Sequence, residues 1–347
     1  MIFIFCTSVT FTIFGDPIHT NSSQKVVMKS FSLGLDRLAL TICILTTCFF
    51  IPKNSTAKQH TTQPAEAAYS IPAYMQRFLP HQLINYLAYS VAERQWPWLK
   101  NRLISNFIAR NNIDMSEALY ETPEAYRSFN DFFTRPLKKG SRPLPENSQL
   151  IISPVDGTIS QIGQIENDRI IQAKQHDYSL TSLLAGNREL ASRFSHGMFS
   201  TIYLSPSDYH CVHMPASGTL KQMIYVPGSL YSVNPSTANN IKGLYALNER
   251  VISIFETAYG EMAIIMIGAM VVGSMETIWA GQVNPGIRHI SWRSYENHHI
   301  QLERGDEMGR FKLGSTVILL FANPEITWLN DSQPGNKVKM GAPLGNL

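Results

Sequence analysis

Short apolar runs separated by turn residues fill the chain after Pro143, and this pattern limits the fold more than any other feature of the sequence. Runs bounded by Gly, Pro, Asn and Asp in this way are typical of β-strands. The sequence shows neither an alternation of strands with long helices nor a GxGxxG motif, which disfavours a dinucleotide-binding fold. The predicted strands are Leu150–Val155, Thr158–Ile165, Arg169–Ala173, Ser200–Leu204, Thr219–Val226, Arg250–Phe255, Met262–Ser274 and Thr316–Phe321.

Apolar residues recur at helical spacing in the section before this region, over Ile71–Ala109. Trp96 and Trp98 interrupt the pattern, and Lys100 and Arg102 follow them directly. Apolar helices flanked by tryptophans and basic residues are typical of the bilayer interface, but a helical cap packed on the domain explains the pattern equally well. The chain is therefore predicted to be α+β. A helical, membrane-facing section is followed by an antiparallel, β-barrel-like core.

The first 72 residues differ in composition from the rest of the chain. Residues 2–15 and 38–52 are uncharged and apolar, and each run is shorter than the roughly 20 residues that span a bilayer. From Met28 the order of basic, apolar and small residues has the layout of a signal peptide or signal anchor. Residues 1–72 are therefore interpreted as an apolar extension ending in a polar linker. A membrane anchor and an extension absent from the mature protein both remain open.

Charge and cysteine content exclude several classes of function. The formal net charge is only +3, and no cluster of Lys and Arg indicates a nucleic-acid partner. Four scattered cysteines form neither a disulfide framework nor a CxxC zinc motif. The pair His210 and His213 has a spacing that could ligate a metal, together with His298 and His299, but no acidic residue accompanies it as in HExxH. No metal is expected.

Three motifs carry residues suited to nucleophilic chemistry. Leu313–Thr316 places Ser315 after a glycine and before the apolar run Val317–Phe321, so the preceding carbonyl is easily approached. The turn Ser153–Gly157 supplies a carboxylate, and Tyr203–Pro215 supplies two histidines. A carboxylate, a histidine and a serine are the residue types of an oriented base and its activated nucleophile.

With these residues the chain resembles the phosphatidylserine decarboxylases, a family of self-processing, pyruvoyl-dependent enzymes. The resemblance covers residues 73–347, as a helical part 73–142 and a β-rich part 143–347, which would form the catalytic domain. Cys211, Leu247 and Met270 depart from the family pattern. The further segments that resemble the family, in family order, are Phe129–Leu137, Val226–Gly228, Ser232–Asn234, Asn248–Val251 and Gly309–Thr316.

The resemblance implies that the chain first reacts with itself. The Ser315 hydroxyl would attack the carbonyl of Gly314 and turn the amide into an ester. Elimination and hydrolysis would then divide this zymogen into chains 1–314 and 315–347 and leave a pyruvoyl group in place of Ser315. By the same resemblance His213 is the base, and Asp156 orients its ring.

The second implied reaction uses this group as a covalent cofactor. A Schiff base between the pyruvoyl ketone and phosphatidylserine would lose CO2, and protonation and hydrolysis would then release phosphatidylethanolamine. The resemblance gives His210 a part in the decarboxylation or in the protonation. The implied activity is that of a carboxy-lyase of phospholipid biosynthesis.

The implied partners and location follow from a lipid substrate. They are phosphatidylserine, membrane lipid and the two processed chains bound to each other, while a homodimer is left open. The expected location is peripheral, at the inner membrane of the cell.

Three other functions remain as alternatives. Ser315 could be the nucleophile of a Ser-His-Asp lipid hydrolase, although such enzymes carry a GxSxG turn between a strand and a helix. The chain could be a lipid-binding β-domain without activity. It could also decarboxylate an amine other than the phospholipid.

Overall fold

The computed structural model describes Gln76 and residues 81–173, 176–269, 274–283, 288–312 and 315–346, without the side chains of residues 81–83. All of them belong to Ala57–Leu347, the second of two units into which the chain divides. The predicted extension, residues 1–72, lies outside the described residues, as do Leu313, Gly314 and Met270.

Two helices, α1 (His81–Ala92) and α2 (Pro97–Asn111), begin the described part of the helical section. Proline opens α2, where its missing N–H leaves no hydrogen bond unmade, and Asn112 ends it in the left-handed region with φ 50°. The helical pattern is thus confirmed for this section. No helix among the described residues is both long enough and apolar enough to span a membrane.

A short helix, α3 (Phe129–Phe133), connects the helical section to the core. Ser128 caps it by accepting a hydrogen bond from the Asp131 amide at 3.2 Å. Its phenylalanines pack around Phe107 of α2, with ring centroids 5.2 to 6.1 Å apart. The Phe133 ring also contacts the ring of His210 at 4.1 Å, so the aromatic cluster joins the helical section to the histidine motif.

Four further short α-helices and eighteen strands follow in the part of the chain that the structure describes. The helices are α4 (Leu180–Leu183), α5 (Arg188–Phe194), α6 (Pro235–Ala238) and α7 (Leu244–Leu247). The strands are β1 (Leu150–Ile152), β2 (Gly157–Gln164), β3 (Arg169–Ala173), β4 (His176–Ser179), β5 (Met198–Leu204), β6 (Cys211–His213), β7 (Gly218–Val226), β8 (Arg250–Thr257), β9 (Gly260–Ile267), β10 (Met275–Thr277), β11 (Gly281–Val283), β12 (Ser291–Ser294), β13 (Gln301–Leu302), β14 (Glu307–Phe311), β15 (Ser315–Phe321), β16 (Thr327–Trp328), β17 (Lys337–Val338) and β18 (Pro343–Asn346).

The largest sheet has nine strands in the order β12-β7-β8-β9-β15-β5-β2-β17, with β13 also paired to β7. Every strand pair in it is antiparallel, as predicted. Among the described residues the order is open, running from β12 to β17. The fold is thus mixed α and β with antiparallel sheets, and barrel-like closure of the core stays a prediction.

Strand β15 lies at the centre of this sheet and is buried along its whole length. Val317, Leu319 and Phe321 join one apolar cluster, whereas Ile318 and Leu320 join a second cluster on the opposite face. Successive side chains of a strand point to opposite faces, so the sheet is covered on both sides. Burial on both faces explains the unbroken apolar run that follows Ser315.

A smaller sheet, in the order β11-β10-β14-β6, carries the histidine motif. Strand β6 pairs with β14, which places His213 opposite Glu307. Only residues 312–314 separate β14 from β15, and β5, the strand before the motif, ends with Leu204 opposite Ser315. Phe311, the last residue of β14, donates its amide to the His210 carbonyl oxygen at 3.0 Å, whereas His213 lies opposite the first residue of β14. The remaining sheets are β1-β18-β16 and β3-β4.

Candidate active site

Ser315 is the first residue of β15 and is only 1% exposed. Its hydroxyl oxygen has no hydrogen-bond partner within the part of the chain that the structure describes. An unpaired buried hydroxyl costs about 1 to 3 kcal/mol, so folding alone does not favour a serine here. Gly314, on the other side of the predicted cleavage site, lies outside the described residues.

Asp156 lies in the turn between β1 and β2, where its carboxylate is held by Arg142. Oδ1 accepts hydrogen bonds from Arg142 Nε at 2.9 Å and from the Met340 amide at 2.8 Å, and Oδ2 accepts one from Arg142 Nη2 at 2.5 Å. The next residue must be glycine, because a Cβ at Gly157 would lie 2.4 Å from the carbonyl oxygen of Tyr203. This close approach brings the turn against β5.

Arg142 is a site residue that the sequence analysis missed. It also forms an ion pair with Glu117 at 2.8 Å, and Lys339 binds the other oxygen of Glu117 at 2.6 Å. Burial disfavours the charge of Arg142, but its bonds to Asp156 and Glu117 outweigh burial and raise the pKa of the guanidinium. An arginine followed by a proline matches no functional motif, so only its contacts in the folded structure identify Arg142 as a site residue.

The ring of His213 is held by two groups other than Asp156. Nδ1 lies 2.8 Å from the Gly305 carbonyl oxygen, and Nε2 lies 3.0 Å from the Tyr209 hydroxyl. Burial lowers the pKa of His213, although Gly305 and the carboxylates of Glu307 and Asp156 act to raise it. The resemblance to the family implies that Asp156 orients this ring. In the structure Asp156 bonds to Arg142 instead and acts on His213 only as a nearby negative charge.

His210 is completely buried against Phe133. Its Nδ1–H donates to the carbonyl oxygen of Asp208 at 2.8 Å, and Nε2 has no hydrogen-bond partner among the described residues. Burial lowers the pKa of His210 to about 3. The ring is therefore neutral near pH 7, with an unused lone pair on Nε2.

The buried ring of His210 predicts a loss of stability in acid. Below pH 6.5 the unfolded chain protonates this histidine, whereas the folded chain resists protonation down to about pH 3. Stability is therefore lost as the pH falls through this window, by up to about 2 kcal/mol between pH 6.5 and 5. Urea unfolding at the two pH values should show a smaller decrease for His210→Asn, which keeps a donor near Asp208. An equal decrease in both proteins would contradict this prediction.

A cavity of about 450 Å³ lies between the helical section and the core. Tyr209 and His213 line it together with Arg142, Glu307 and Arg310, while Ser315, Asp156 and His210 are not among its lining residues. The cavity therefore gives access to His213 from the side that faces the helical section. The structure thus brings His213 and Arg142 to one cavity, whereas Ser315 is buried in the large sheet and does not line this cavity.

The signature segments in the middle of the chain pack on one another. A Cβ at Gly228 would lie 2.5 Å from the Leu247 carbonyl oxygen, so the turn needs a glycine. The Asn248 side chain donates to the carbonyl oxygens of Tyr231 and Gly268, both at 2.9 Å. Asn234 caps α6 by accepting from the Thr237 amide at 2.8 Å. These contacts give the segments a structural role.

The candidate metal ligands do not form a metal site in the described structure. No group of three or more His, Cys, Asp and Glu side chains among the described residues has an arrangement that could hold a metal ion. His210 and His213 are instead engaged by the separate contacts given above.

Comparison with known proteins gives the same family throughout the domain. The sequence model described as phosphatidylserine decarboxylase matches residues 129–346, and a second one, described as PSD, matches residues 71–110. A phosphatidylserine decarboxylase proenzyme of Bordetella avium is 53% identical over 270 residues, which are 78% of this chain and 92% of the relative. Proenzymes of the same name from Ectopseudomonas mendocina and Saccharophagus degradans are 51% and 48% identical, over 78% and 79% of this chain and 96% of each relative. These matches, and the serine and histidine motifs within them, show that the chain belongs to the phosphatidylserine decarboxylase family.

Proposed function

We propose that the chain is a proenzyme that cuts itself between Gly314 and Ser315 and then decarboxylates phosphatidylserine to phosphatidylethanolamine. The observation that carries the proposal is the buried, unpaired hydroxyl of Ser315 at the start of β15. It lies in a chain about half identical to proteins named as proenzymes of this decarboxylase.

The surroundings of Ser315 fit its conversion to a pyruvoyl group. That group supplies a ketone that reacts with the substrate amine and accepts electrons when the carboxylate leaves. Ser315 would become the first residue of chain 315–347, and β15 pairs with β5 along its length and with β9 from Thr316 onward. These two ladders hold the small chain in the sheet after cleavage, so both chains stay together without the peptide bond.

The histidines supply neutral nitrogen atoms for the proton transfers. Burial lowers the pKa of His213 and so favours its neutral form, which a general base requires. His210 offers a second buried Nε2 atom, which we assign to proton transfer during decarboxylation. Arg142 holds Asp156 beside this site, so that Asp156 favours the cationic form of His213 through space.

The position of Ser315 weighs against a lipid hydrolase. The nucleophile of such enzymes sits in a tight turn between a strand and a helix, where its hydroxyl is exposed. Ser315 instead begins a strand of seven buried residues. The proenzyme names of relatives about half identical to this chain weigh against a binding domain without activity.

Intact mass and CO2 release test the proposal together. Purified protein should consist of two chains that break between Gly314 and Ser315, with a ketone at the start of the small chain. It should release CO2 from phosphatidylserine in mixed micelles and not from free serine. A folded, uncleaved chain would refute self-processing, and CO2 release from free serine alone would indicate another amine substrate.

The helical section also supports peripheral attachment to the inner membrane of the cell. Trp98 and Tyr86 are 70% and 68% exposed on α2 and α1, and Trp96 is exposed beside Trp98. Arg94 stacks over the Trp96 ring, and the exposed Arg102 follows on α2. Exposed aromatic rings next to arginines suit the interface of a bilayer that carries anionic lipid.

This attachment predicts that residues 1–72 are not the whole membrane-binding element. Deleting them should weaken, but not abolish, sedimentation with vesicles that contain phosphatidylserine, because α1 and α2 remain. Adding Trp96→Ser and Trp98→Ser to the deletion should remove most of the remaining binding. Loss of all binding on deletion alone would show that α1 and α2 do not contact the membrane.

A further inference from the structure

We propose that Tyr209 is a positioning residue for self-processing, because its hydroxyl holds the Nε2 atom of His213 and keeps the ring in its neutral, basic form. The inference rests on the proposed role of His213 as the base. Neither the sequence motifs nor the resemblance singled out this tyrosine. Its hydroxyl lies 3.0 Å from Nε2, and the two ring centroids are 5.7 Å apart.

The protonated nitrogen of His213 follows from its other contact. The Gly305 carbonyl oxygen, 2.8 Å from Nδ1, can only accept, so Nδ1 carries the proton. In the neutral ring Nε2 is then the atom with the free lone pair. The hydroxyl of Tyr209 must therefore donate to Nε2. The two contacts fix both the tautomer and the direction of the ring.

Tyr209 is suited to remain a donor. Burial, followed by the neighbouring Cys211 thiol, raises the pKa of Tyr209, and Glu307 raises it further while Arg310 opposes the change. The phenol thus keeps its proton near neutral pH. Its hydroxyl stabilises the neutral ring of His213, since a protonated Nε2 could not accept this bond.

The charged groups around His213 act in the opposite direction. Glu307 lies across from it on β14, Asp306 precedes β14, and Asp156 precedes β2. All three carboxylates favour the imidazolium form. Burial and the Tyr209 hydroxyl both favour the neutral form of His213. Only the hydroxyl also fixes the direction of the lone pair on Nε2, because it bonds to that atom.

Tyr209→Phe tests this role because it removes one oxygen atom and keeps the ring. Self-cleavage of freshly synthesised full-length chain would be followed by gel from pH 5 to 9. The midpoint of the acid limb, where the base becomes protonated, should move up by about 0.5 to 1 pH unit, because the neutral form loses one hydrogen bond. The plateau rate should fall about tenfold, since the ring then keeps only its bond to Gly305.

Tyr245→Phe is the matched control. Tyr245 is also buried, and it belongs to the apolar cluster on the other face of the sheet. The pH dependence of self-cleavage in Tyr245→Phe should equal that of the wild type. If Tyr209→Phe cleaves more slowly with an unmoved midpoint, or cleaves normally, the inference is overturned. If the wild type itself is not cleaved, the proposed function fails instead.

A second measurement does not require the Phe variant to fold. In full-length Ser315→Ala chain labelled with ¹⁵N-histidine, the signals of His213 can be assigned by their loss in a further His213→Gln variant. The expected spectrum shows a protonated Nδ1 and an unprotonated Nε2 near pH 7. A protonated Nε2 would exclude a bond donated by Tyr209 and overturn the inference.

Discussion

Ser315→Ala is expected to leave the chain as one uncleaved polypeptide of 347 residues without measurable decarboxylase activity. The alanine has no nucleophile for the Gly314 carbonyl and no oxygen from which a ketone can form. The same change should not destabilise the fold, because it removes a buried hydroxyl that has no partner among the described residues. We therefore expect a melting temperature equal to or higher than that of uncleaved wild type. Intact mass, CO2 release and thermal unfolding measure the three results.

Ser253→Ala is the control for this change. Ser253 is completely buried in β8, and its hydroxyl also lacks a partner in the described structure. Its replacement should leave cleavage and activity as in the wild type. Two outcomes would contradict the assignment of Ser315: cleavage of Ser315→Ala at the same bond, or activity of the uncleaved variant. A large loss of stability would instead show that the hydroxyl makes a structural bond.

The long strands could be predicted because each buries a recognisable apolar pattern. Thr316–Phe321 is buried on both faces, and its continuous run is visible without the fold. The prediction of one strand over Met262–Ser274 was wrong, since β9 ends at Ile267. The predicted strand should continue at Gly268. A Cβ added at this glycine would lie 3.4 Å from the carbonyl oxygen of Glu249, so the backbone packs closely here. The end of a strand that depends on tertiary packing of this kind cannot be predicted from an apolar run in the sequence.

The short strands around the histidine motif could not be predicted. Strand β6 has three residues, too few for a periodic pattern, and it forms because β14 pairs with it. The motif itself was identified by residue type and by resemblance. Its pairing with β14, the strand that precedes β15 along the chain, is supplied only by the topology.

The partners of the site residues were harder to predict than the residues. A serine, a carboxylate and a histidine imply that the carboxylate orients the ring. The carbonyl oxygen that holds His213 belongs to Gly305, 92 residues further along the chain. A backbone carbonyl has no sequence signature. The charge on Asp156 is balanced by Arg142, and the sequence gives no reason to prefer this arginine over others.

Arg142→Ala should cause the largest loss of stability among the site variants, about 3 to 5 kcal/mol. Removing one partner of a buried ion pair leaves the other charge without compensation. Asp156 would keep only the bond from the Met340 amide, and Glu117 would keep only its ion pair with Lys339. Urea unfolding in a Ser315→Ala background measures this loss on a single uncleaved chain. Arg142→Lys should lose less, because it keeps the charge but cannot form the paired bonds to both carboxylate oxygens.

Arg193→Ala is the matched control, because Arg193 forms an ion pair with Glu261 at the protein surface. Arg193 binds Glu261 at 2.7 Å, but the two side chains are 43% and 30% exposed, compared with 6% and 11% for Arg142 and Asp156. Water screens the exposed pair, so its loss should cost at most about 1 kcal/mol. Equal losses of stability in Arg142→Ala and Arg193→Ala would mean that Arg142 is not needed to balance the charge of Asp156. A large loss of stability at Arg142 alone would show that the helical section stabilises the core through Asp156.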